Sequence, residues 1–141
     1  MKYILRVTDF ETTGLPKEDN PHSVCEFGFV DVCAESKAIL RAHDMLVVPT
    51  TDMDIEAQAT HHISFKEACG GIEWEKAQDI LEREGVTDNV TVIYVAHNAD
   101  YEKQFFNPPN SKWIDTYKVA LKLYPDAPRH TNQVLKYFLG V

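Results

Sequence analysis

Apolar and polar residues alternate along the first third of the chain in a pattern that predicts β-strands. The runs Tyr3–Asp9, Val24–Val32 and Ala38–Val48 are rich in β-branched and aromatic residues, and polar turn segments separate them. These runs predict a three-stranded antiparallel meander, which begins after a polar loop over Lys17–Ser23. A fourth run, Val90–Ala96, is apolar at nearly every position. Such a strand is typically buried on both faces and pairs in parallel, here with the first strand.

The helical spacing of apolar residues appears later in the chain. Glu73–Glu84 carries Trp74, Ala77 and Leu81 on one stripe, and Gly85 is a suitable stop after it. The other predicted elements are a short helix over Ile55–His62, a helix that begins at about Ala99 with Asn98 as N-cap, a strand over Trp113–Thr116, a helix over Tyr117–Tyr124, and a final helix with Val134, Leu135 and Phe138 facing inward.

Strands and helices in this order predict one α/β domain over residues 1–141, with a mixed sheet of an antiparallel meander plus parallel strands. A chain of 141 residues with 44% hydrophobic composition can bury one core.

Two carboxylates stand at the end of the first strand. Side chains alternate faces in a strand, so Asp9 and Glu11 point the same way, roughly 6.5 Å apart along the strand. Like charges this close raise each other's pKa unless a cation lies between them, and carboxylate oxygens suit Mg²⁺ or Mn²⁺. The alternative is an ordinary solvated turn, since an Asp-x-Glu triplet alone is weak evidence.

The run Asp-Phe-Glu-Thr-Thr-Gly-Leu-Pro, which begins at Asp9, resembles the first motif of the DEDD family of 3′-5′ exonucleases. The resemblance extends over nearly the whole chain and implies a ribonuclease H-like fold. It also implies two divalent ions, Mg²⁺ or Mn²⁺, held by carboxylates, and a substrate of single-stranded DNA or DNA 3′ ends, with RNA left open.

A second motif follows the fourth strand. His-Asn-Ala-Asp-Tyr-Glu, starting at His97, resembles the family's His-Asn-Ala-x-Phe-Asp, which places the catalytic acid on Glu102 and the variable position on Asp100. At 100° per residue, Glu102 lies between Phe105 and Phe106 on the helix, whereas Asp100 lies about 160° away. A carboxylate on the apolar face is costly unless it is paired or bound to metal. We therefore favour Glu102 as the third ligand. We interpret Asp100 as an acid in the first turn of the helix, where its charge interacts favourably with the helix dipole.

The resemblance also identifies candidate substrate contacts. A His-His-Ile-Ser segment resembles the family's His-Gly-Ile-Thr, so His62 is expected near the terminal nucleotide, with His61 or plain loop packing as equal alternatives. The catalytic and metal-binding candidates are Asp9, Glu11 and Glu102. The substrate-binding candidates are Phe10, Thr12, Gly14, Leu15, His62 and Asn98.

The family's third motif, a general-base His followed about one turn later by an acid, has no match in this sequence. His130 is a weak substitute, because no partner carboxylate follows it to orient the ring. The last helix of the family is therefore expected to be missing here. Either the chain is truncated relative to an active enzyme, another chain completes the site, or the protein has lost the chemistry.

Charge and cysteine content bear on partners and location. Residues 1–100 carry 8 Lys/Arg against 19 Asp/Glu, whereas residues 101–141 carry 6 against 3, so the basic last third could flank a phosphate backbone or be a solvated face. The three cysteines contain no Cys-x-x-Cys pair and predict free thiols; a zinc site of His61, His62 and Cys69 matches no common spacing. Without an apolar run of transmembrane length, we expect a cytoplasmic protein.

Overall fold

The computed structural model describes residues 2–15 and 21–141, which contain one five-stranded sheet. Residues 16–20, part of the predicted loop, lie outside the described residues. The strands are β1 (Lys2–Thr12), β2 (Val24–Cys33), β3 (Ile39–Leu46), β4 (Val90–Ala96) and β5 (Lys112–Asp115). Their order across the sheet is β3-β2-β1-β4-β5, which makes β1 the central strand.

The pairing directions confirm both sheet predictions. β1 pairs antiparallel with β2, and β2 pairs antiparallel with β3, which is the predicted meander. β4 pairs in parallel with both β1 and β5. The result is the mixed α/β sheet expected of a ribonuclease H-like fold. Parallel pairing brings the carboxyl ends of β1 and β4 to the same edge, where open α/β sheets place their ligands.

Six helices connect and flank the described strands. They are α1 (Ile55–His61), α2 (Phe65–Ala68), α3 (Trp74–Arg83), α4 (Ala99–Glu102), α5 (Thr116–Leu123) and α6 (Asn132–Leu139). Helix α2 was not predicted, although Ser64 and Glu67 form a capping box at its start. None of the helices in residues 2–15 and 21–141 has the length and apolar character needed to cross a bilayer.

The main core lies on one face of the sheet. Alternate residues of β1, among them Ile4, Thr8 and Phe10, are buried, whereas the intervening Tyr3, Val7 and Asp9 are exposed. Phe27, Phe29, Tyr94 and Phe106 pack with Phe10 on the buried side, where Ala77 and Leu81 of α3 contact them. The stripe predicted on α3 is therefore core. The opposite face of β1, which carries the candidate acids, stays open.

A buried ion pair ties β1 to β2 and α3. Arg6 donates from Nε and Nη2 to the two carboxylate oxygens of Asp31, each at 2.7 Å, and both side chains are fully buried. Its remaining donors bind the carbonyls of Leu81 and Glu84, each at 2.6 Å, at the end of α3. This pair satisfies the last carbonyls of the helix and fixes α3 against the sheet.

Candidate active site

Asp9 and Glu11 lie on the same open face of β1, at its carboxyl end. In the pairing with β2, Asp9 is opposite Gly28 and Glu11 is opposite Glu26, and Phe10 between them points into the core. The strand alternation therefore places the two acids as predicted. Partial burial raises the pKa of Asp9. The pKa of Glu11 is raised by burial and then by the charge of Asp9.

Glu102 lies at the end of the single-turn helix α4, which follows β4. Its side chain is only 3% exposed, as is expected for a residue next to the buried Phe106. Glu102 Oε2 has no hydrogen-bond partner among the described residues. Burial, followed by the charges of Asp9 and Asp115, raises the pKa of Glu102 to about 7. A buried carboxylate oxygen without a donor is costly, so this site calls for a cation or a proton.

The two other acids near α4 have partners, although Asp115 Oδ2 also lacks a hydrogen bond among the described residues and has only Lys118 Nζ, 3.7 Å away. Asp100 is exposed and lies 2.7 Å from Lys118 Nζ, which lowers the pKa of Asp100. Asp115 Oδ1 caps α5 by accepting from the backbone N–H groups of Tyr117 and Lys118, and it also accepts from the Asn98 N–H. Asp100 therefore forms an ion pair at the surface, and Asp115 caps the start of α5. Glu102 is the acid on α4 whose pKa the charge of Asp9 helps to raise.

The chemistry of these three acids fits hard divalent cations. Their carboxylate oxygens are the ligands that Mg²⁺ and Mn²⁺ prefer, and the buried Glu102 Oε2 has no hydrogen-bond donor among the described residues. Burial is the first cause of the raised pKa values at Asp9, Glu11 and Glu102, and neighbouring carboxylates raise the pKa further at Glu11 and Glu102. Across residues 2–15 and 21–141, however, no three His, Cys, Asp or Glu side chains are preassembled at ligand spacing. Side-chain rearrangement would therefore accompany metal binding.

Asp9 and Glu11 of β1 form an acidic row with Glu26 of β2 and Asp44 of β3. Glu26 is the cross-strand partner of Glu11, and burial together with Asp44 raises the pKa of Glu26 to about 6. Sequence reasoning missed Glu26, because its relevance depends on the strand register. The signal was present in the alternation of β2, which places Glu26 on the face opposite Phe27.

A cavity of about 310 Å³ opens beside Glu11, which is large enough for a small ligand. The loop after β1 and helix α1 form its walls. Its lining includes Glu11, Thr12, Gly14, Leu15, His61 and Tyr101. Three predicted substrate contacts, Thr12, Gly14 and Leu15, therefore lie in one cavity. Space favours glycine at position 14, because a Cβ there would lie 2.7 Å from Nε2 of the buried His22 ring.

Three predicted substrate contacts do not line this cavity. Phe10 is 4% exposed and packs edge-to-face on Trp74 in the core, because it has the opposite strand parity from Glu11. Asn98 occupies the predicted N-cap position of α4 in a left-handed conformation, but it makes no side-chain cap hydrogen bond and is exposed. His62 is exposed at the left-handed end of α1, and it is not among the residues that line the cavity.

His61, the equal alternative to His62 in the sequence analysis, lines the cavity. The Ile63 N–H donates to His61 Nδ1 at 3.0 Å, so Nε2 carries the proton and donates to the Thr12 carbonyl at 3.2 Å. His61 therefore holds the loop after β1 and forms part of the cavity wall. Both of its ring nitrogens are engaged in hydrogen bonds to the backbone.

His130 also has a structural role. Its Nε2 donates to the Tyr124 carbonyl at 2.8 Å, and its own carbonyl accepts from His97 Nε2 at 2.6 Å. These bonds tie the segment before α6 to α5 and to the second motif. The structure therefore gives no support to His130 as a substitute general base.

Comparisons with known proteins agree with this architecture. The family model RNase T, described as exonuclease, matches residues 7–141. Exonuclease X in complex with 5′ overhanging duplex DNA aligns with a TM-score of 0.77 and 26% identity, over 97% of this chain and 74% of that one. No curated protein matches the sequence significantly.

Two more distant structures share the fold. The nuclease domain of 3′hExo, a DEDDh family member bound to rAMP, aligns with a TM-score of 0.76 and 17% identity, over 98% of this chain and 79% of that one. Apo exonuclease I aligns with a TM-score of 0.79 and 12% identity, over 97% of this chain and 37% of that one.

Proposed function

Because the chain belongs to the RNase T exonuclease family, we propose that it is a metal-dependent 3′-5′ exonuclease that releases nucleoside monophosphates from single-stranded DNA or DNA 3′ ends. The main observation in favour is the buried, unpartnered Glu102 Oε2 beside Asp9. DNA is favoured over RNA because exonuclease X, at 26% identity, is the DNA-bound relative, whereas the rAMP-bound structure is 17% identical.

In this proposal Asp9, Glu11 and Glu102 hold the metal ions. Two bound Mg²⁺ or Mn²⁺ ions would supply an activated water and charge stabilisation for the leaving oxygen. Bound cations would lower the pKa values of the three carboxylates, which burial raises, because the cations offset the repulsion between the negative charges. The carboxylates would therefore stay ionised. Glu11 belongs to both the acidic row and the cavity, so it links the metal site to the place where the terminal nucleotide would lie.

The cavity positions the substrate. Its wall is rigid, because the Thr13 N–H donates to the Ser23 carbonyl at 2.9 Å and the Asp54 N–H donates to the Thr13 carbonyl at 2.8 Å. A preformed wall lowers the entropic cost of placing the scissile phosphate beside the acids. Backbone and side chains of Thr12, Gly14 and Leu15 would contact the terminal nucleotide.

Activity is expected to be weak for this chain alone. The third motif of the resembled family has no match in residues 1–141, and His130, the candidate substitute base, donates to the Tyr124 carbonyl. General-base catalysis contributes roughly a hundredfold to ten-thousandfold. The same observation favours a second candidate function, a catalytically silent module that binds nucleic acid or another protein.

A labelled oligonucleotide separates these functions. We expect the purified protein, with Mg²⁺ or Mn²⁺, to shorten a 5′-labelled single strand from its 3′ end, and EDTA to stop it. The isosteric Asp9→Asn should remove this activity, whereas Asp79→Asn, on the exposed side of α3, should retain it. Shortening that persists in Asp9→Asn would refute the proposed metal site. Oligonucleotide binding without any shortening would favour the silent module.

A further inference from the structure

The hydroxyl of Tyr101 belongs to a directed chain of hydrogen bonds at the cavity wall. Thr12 Oγ1 donates to the Gly14 carbonyl at 2.9 Å, which uses the only hydrogen of that hydroxyl. Tyr101 Oη lies 2.5 Å from Thr12 Oγ1, so the tyrosine must donate this second bond. In the described part of the chain, Thr12 is the only hydrogen-bond partner of Tyr101 Oη. The phenol oxygen therefore offers acceptor lone pairs alone to any ligand.

The position of this oxygen favours a ligand contact. Tyr101 lines the cavity together with Glu11 and Leu15, and an edge-to-face contact with Phe105, with centroids 5.6 Å apart, orients its ring. The motif that this segment resembles has Phe where Tyr101 stands, so the hydroxyl distinguishes this chain from that pattern. Core packing would need only a phenyl ring. The added oxygen supplies the hydrogen bond to Thr12, and its acceptor lone pairs stay unused among the described residues.

We propose that Tyr101 is a specificity-determining residue, whose hydroxyl oxygen accepts a hydrogen bond from a sugar hydroxyl of the 3′-terminal nucleotide. The inference rests on the proposed function, since it takes the cavity beside Glu11 as the place of that nucleotide. An acceptor needs a donor, and the terminal sugar is the part of a 3′ end that carries free hydroxyl donors for every base. The donor is the 3′-hydroxyl in DNA, and the 2′-hydroxyl is a second source in RNA.

Four oligonucleotides that differ only in the terminal sugar test this contact. Each ends in uracil, and the sugar is 2′-deoxyribose, ribose, 3′-deoxyribose or 2′,3′-dideoxyribose, so contacts to the base cancel. Dissociation constants from fluorescence anisotropy, and kcat/KM where turnover occurs, are compared for wild type, Tyr101→Phe and the control Tyr137→Phe. Tyr137 is 80% exposed on α6, so its hydroxyl serves as a matched deletion away from the cavity.

We expect Tyr101→Phe to weaken binding about three- to tenfold for termini with the contacted hydroxyl, the amount typical of one neutral hydrogen bond, and less than about twofold for the dideoxy terminus. Loss confined to the deoxy and ribo termini identifies the 3′-hydroxyl as donor. Loss confined to the ribo and 3′-deoxy termini identifies the 2′-hydroxyl. Tyr137→Phe should bind all four oligonucleotides with the dissociation constants of the wild type.

An equal loss at all four termini would overturn the inference, because it would mean that Tyr101 only supports Thr12. No loss at any terminus would overturn it as well. The proposed function fails separately: terminus-dependent binding without turnover would refute the nuclease and keep the Tyr101 contact. If the protein hydrolyses the oligonucleotides but the effect of Tyr101→Phe does not depend on the terminal hydroxyl, the contact is refuted and the nuclease function is retained. Wild type that binds none of the four would refute both.

Discussion

Lys118 Nζ lies 2.7 Å from Asp100 Oδ2, and this pairing separates the roles of the two acids on helix α4. Asp100 is neutralised at the surface by Lys118, with Lys103 also 3.8 Å away. Glu102, two residues later, is buried and has an oxygen without a donor among the described residues. A metal ion near Asp9 would therefore gain its third ligand from Glu102.

The first prediction compares amide substitutions at these two acids. Glu102→Gln should lower kcat/KM about a hundredfold or more, because losing several kcal/mol of charge stabilisation costs a factor of ten per 1.36 kcal/mol. Asp100→Asn should change it less than about twofold, since an exposed ion pair contributes little. Steady-state hydrolysis of one labelled oligonucleotide gives both values. A larger loss in Asp100→Asn than in Glu102→Gln would reverse the assignment.

The second prediction concerns the pH dependence of stability. Burial raises the pKa of Glu102 from 4.5 to about 7, so between these values the folded chain binds more protons than the unfolded chain. The free energy of unfolding should therefore fall as pH rises through this window. Glu102→Gln removes the charge, and it should stabilise the metal-free protein at pH 8 by on the order of 2 kcal/mol, with little effect at pH 5.

Urea unfolding in EDTA at pH 5 and pH 8 measures this difference. Asp100→Asn is the control, because Lys118 lowers the pKa of Asp100, so the ionised form of Asp100 does not destabilise the folded chain. If Glu102→Gln gives the same change in unfolding free energy at both pH values, the Glu102 carboxyl is not the titrating group.

The third prediction distinguishes the two neighbouring histidines. His61 donates to the Thr12 carbonyl in the cavity wall, whereas His62 is exposed beyond the end of α1. His61→Ala should raise KM about fivefold, as expected for losing one hydrogen bond that shapes the loop, and His62→Ala should stay within about twofold. Kinetics of both variants on one substrate decide the question. A greater effect at His62 would assign the substrate contact to His62 instead of His61.

Periodicity predicted the elements of the candidate site better than it predicted individual contacts. Strand alternation placed Asp9 and Glu11 on one face, and helical spacing placed Glu102 beside Phe106, because both depend on local geometry. His62 was expected in the cavity, but its left-handed conformation, with φ 64°, ends α1 and leaves His61 against the loop. A helix end of this kind is set by tertiary packing.

Contacts between distant segments were also beyond the sequence patterns. The hydrogen bond between Tyr101 and Thr12 joins residues 89 positions apart, and no local periodicity specifies it. The pairing of Glu26 with Glu11 needed the strand register, which a bulge near Thr12 shifts. Helix α2 could have been found, since Ser64 and Glu67 have the spacing of a capping box.

The last prediction concerns the ion pair that fixes α3 to the sheet. Arg6 and Asp31 are both fully buried, and Asp31→Asn would leave the guanidinium charge of Arg6 without its main partner in the core. Breaking a buried pair from one side typically costs 3–5 kcal/mol, so we expect about that loss in the free energy of unfolding. Asp79→Asn is a matched control, because Asp79 lies 2.8 Å from Arg83 at the surface of α3 and should cost less than about 0.5 kcal/mol. Urea unfolding at pH 7 compares the two variants. Similar losses in both would show that burial does not determine the contribution of this pair.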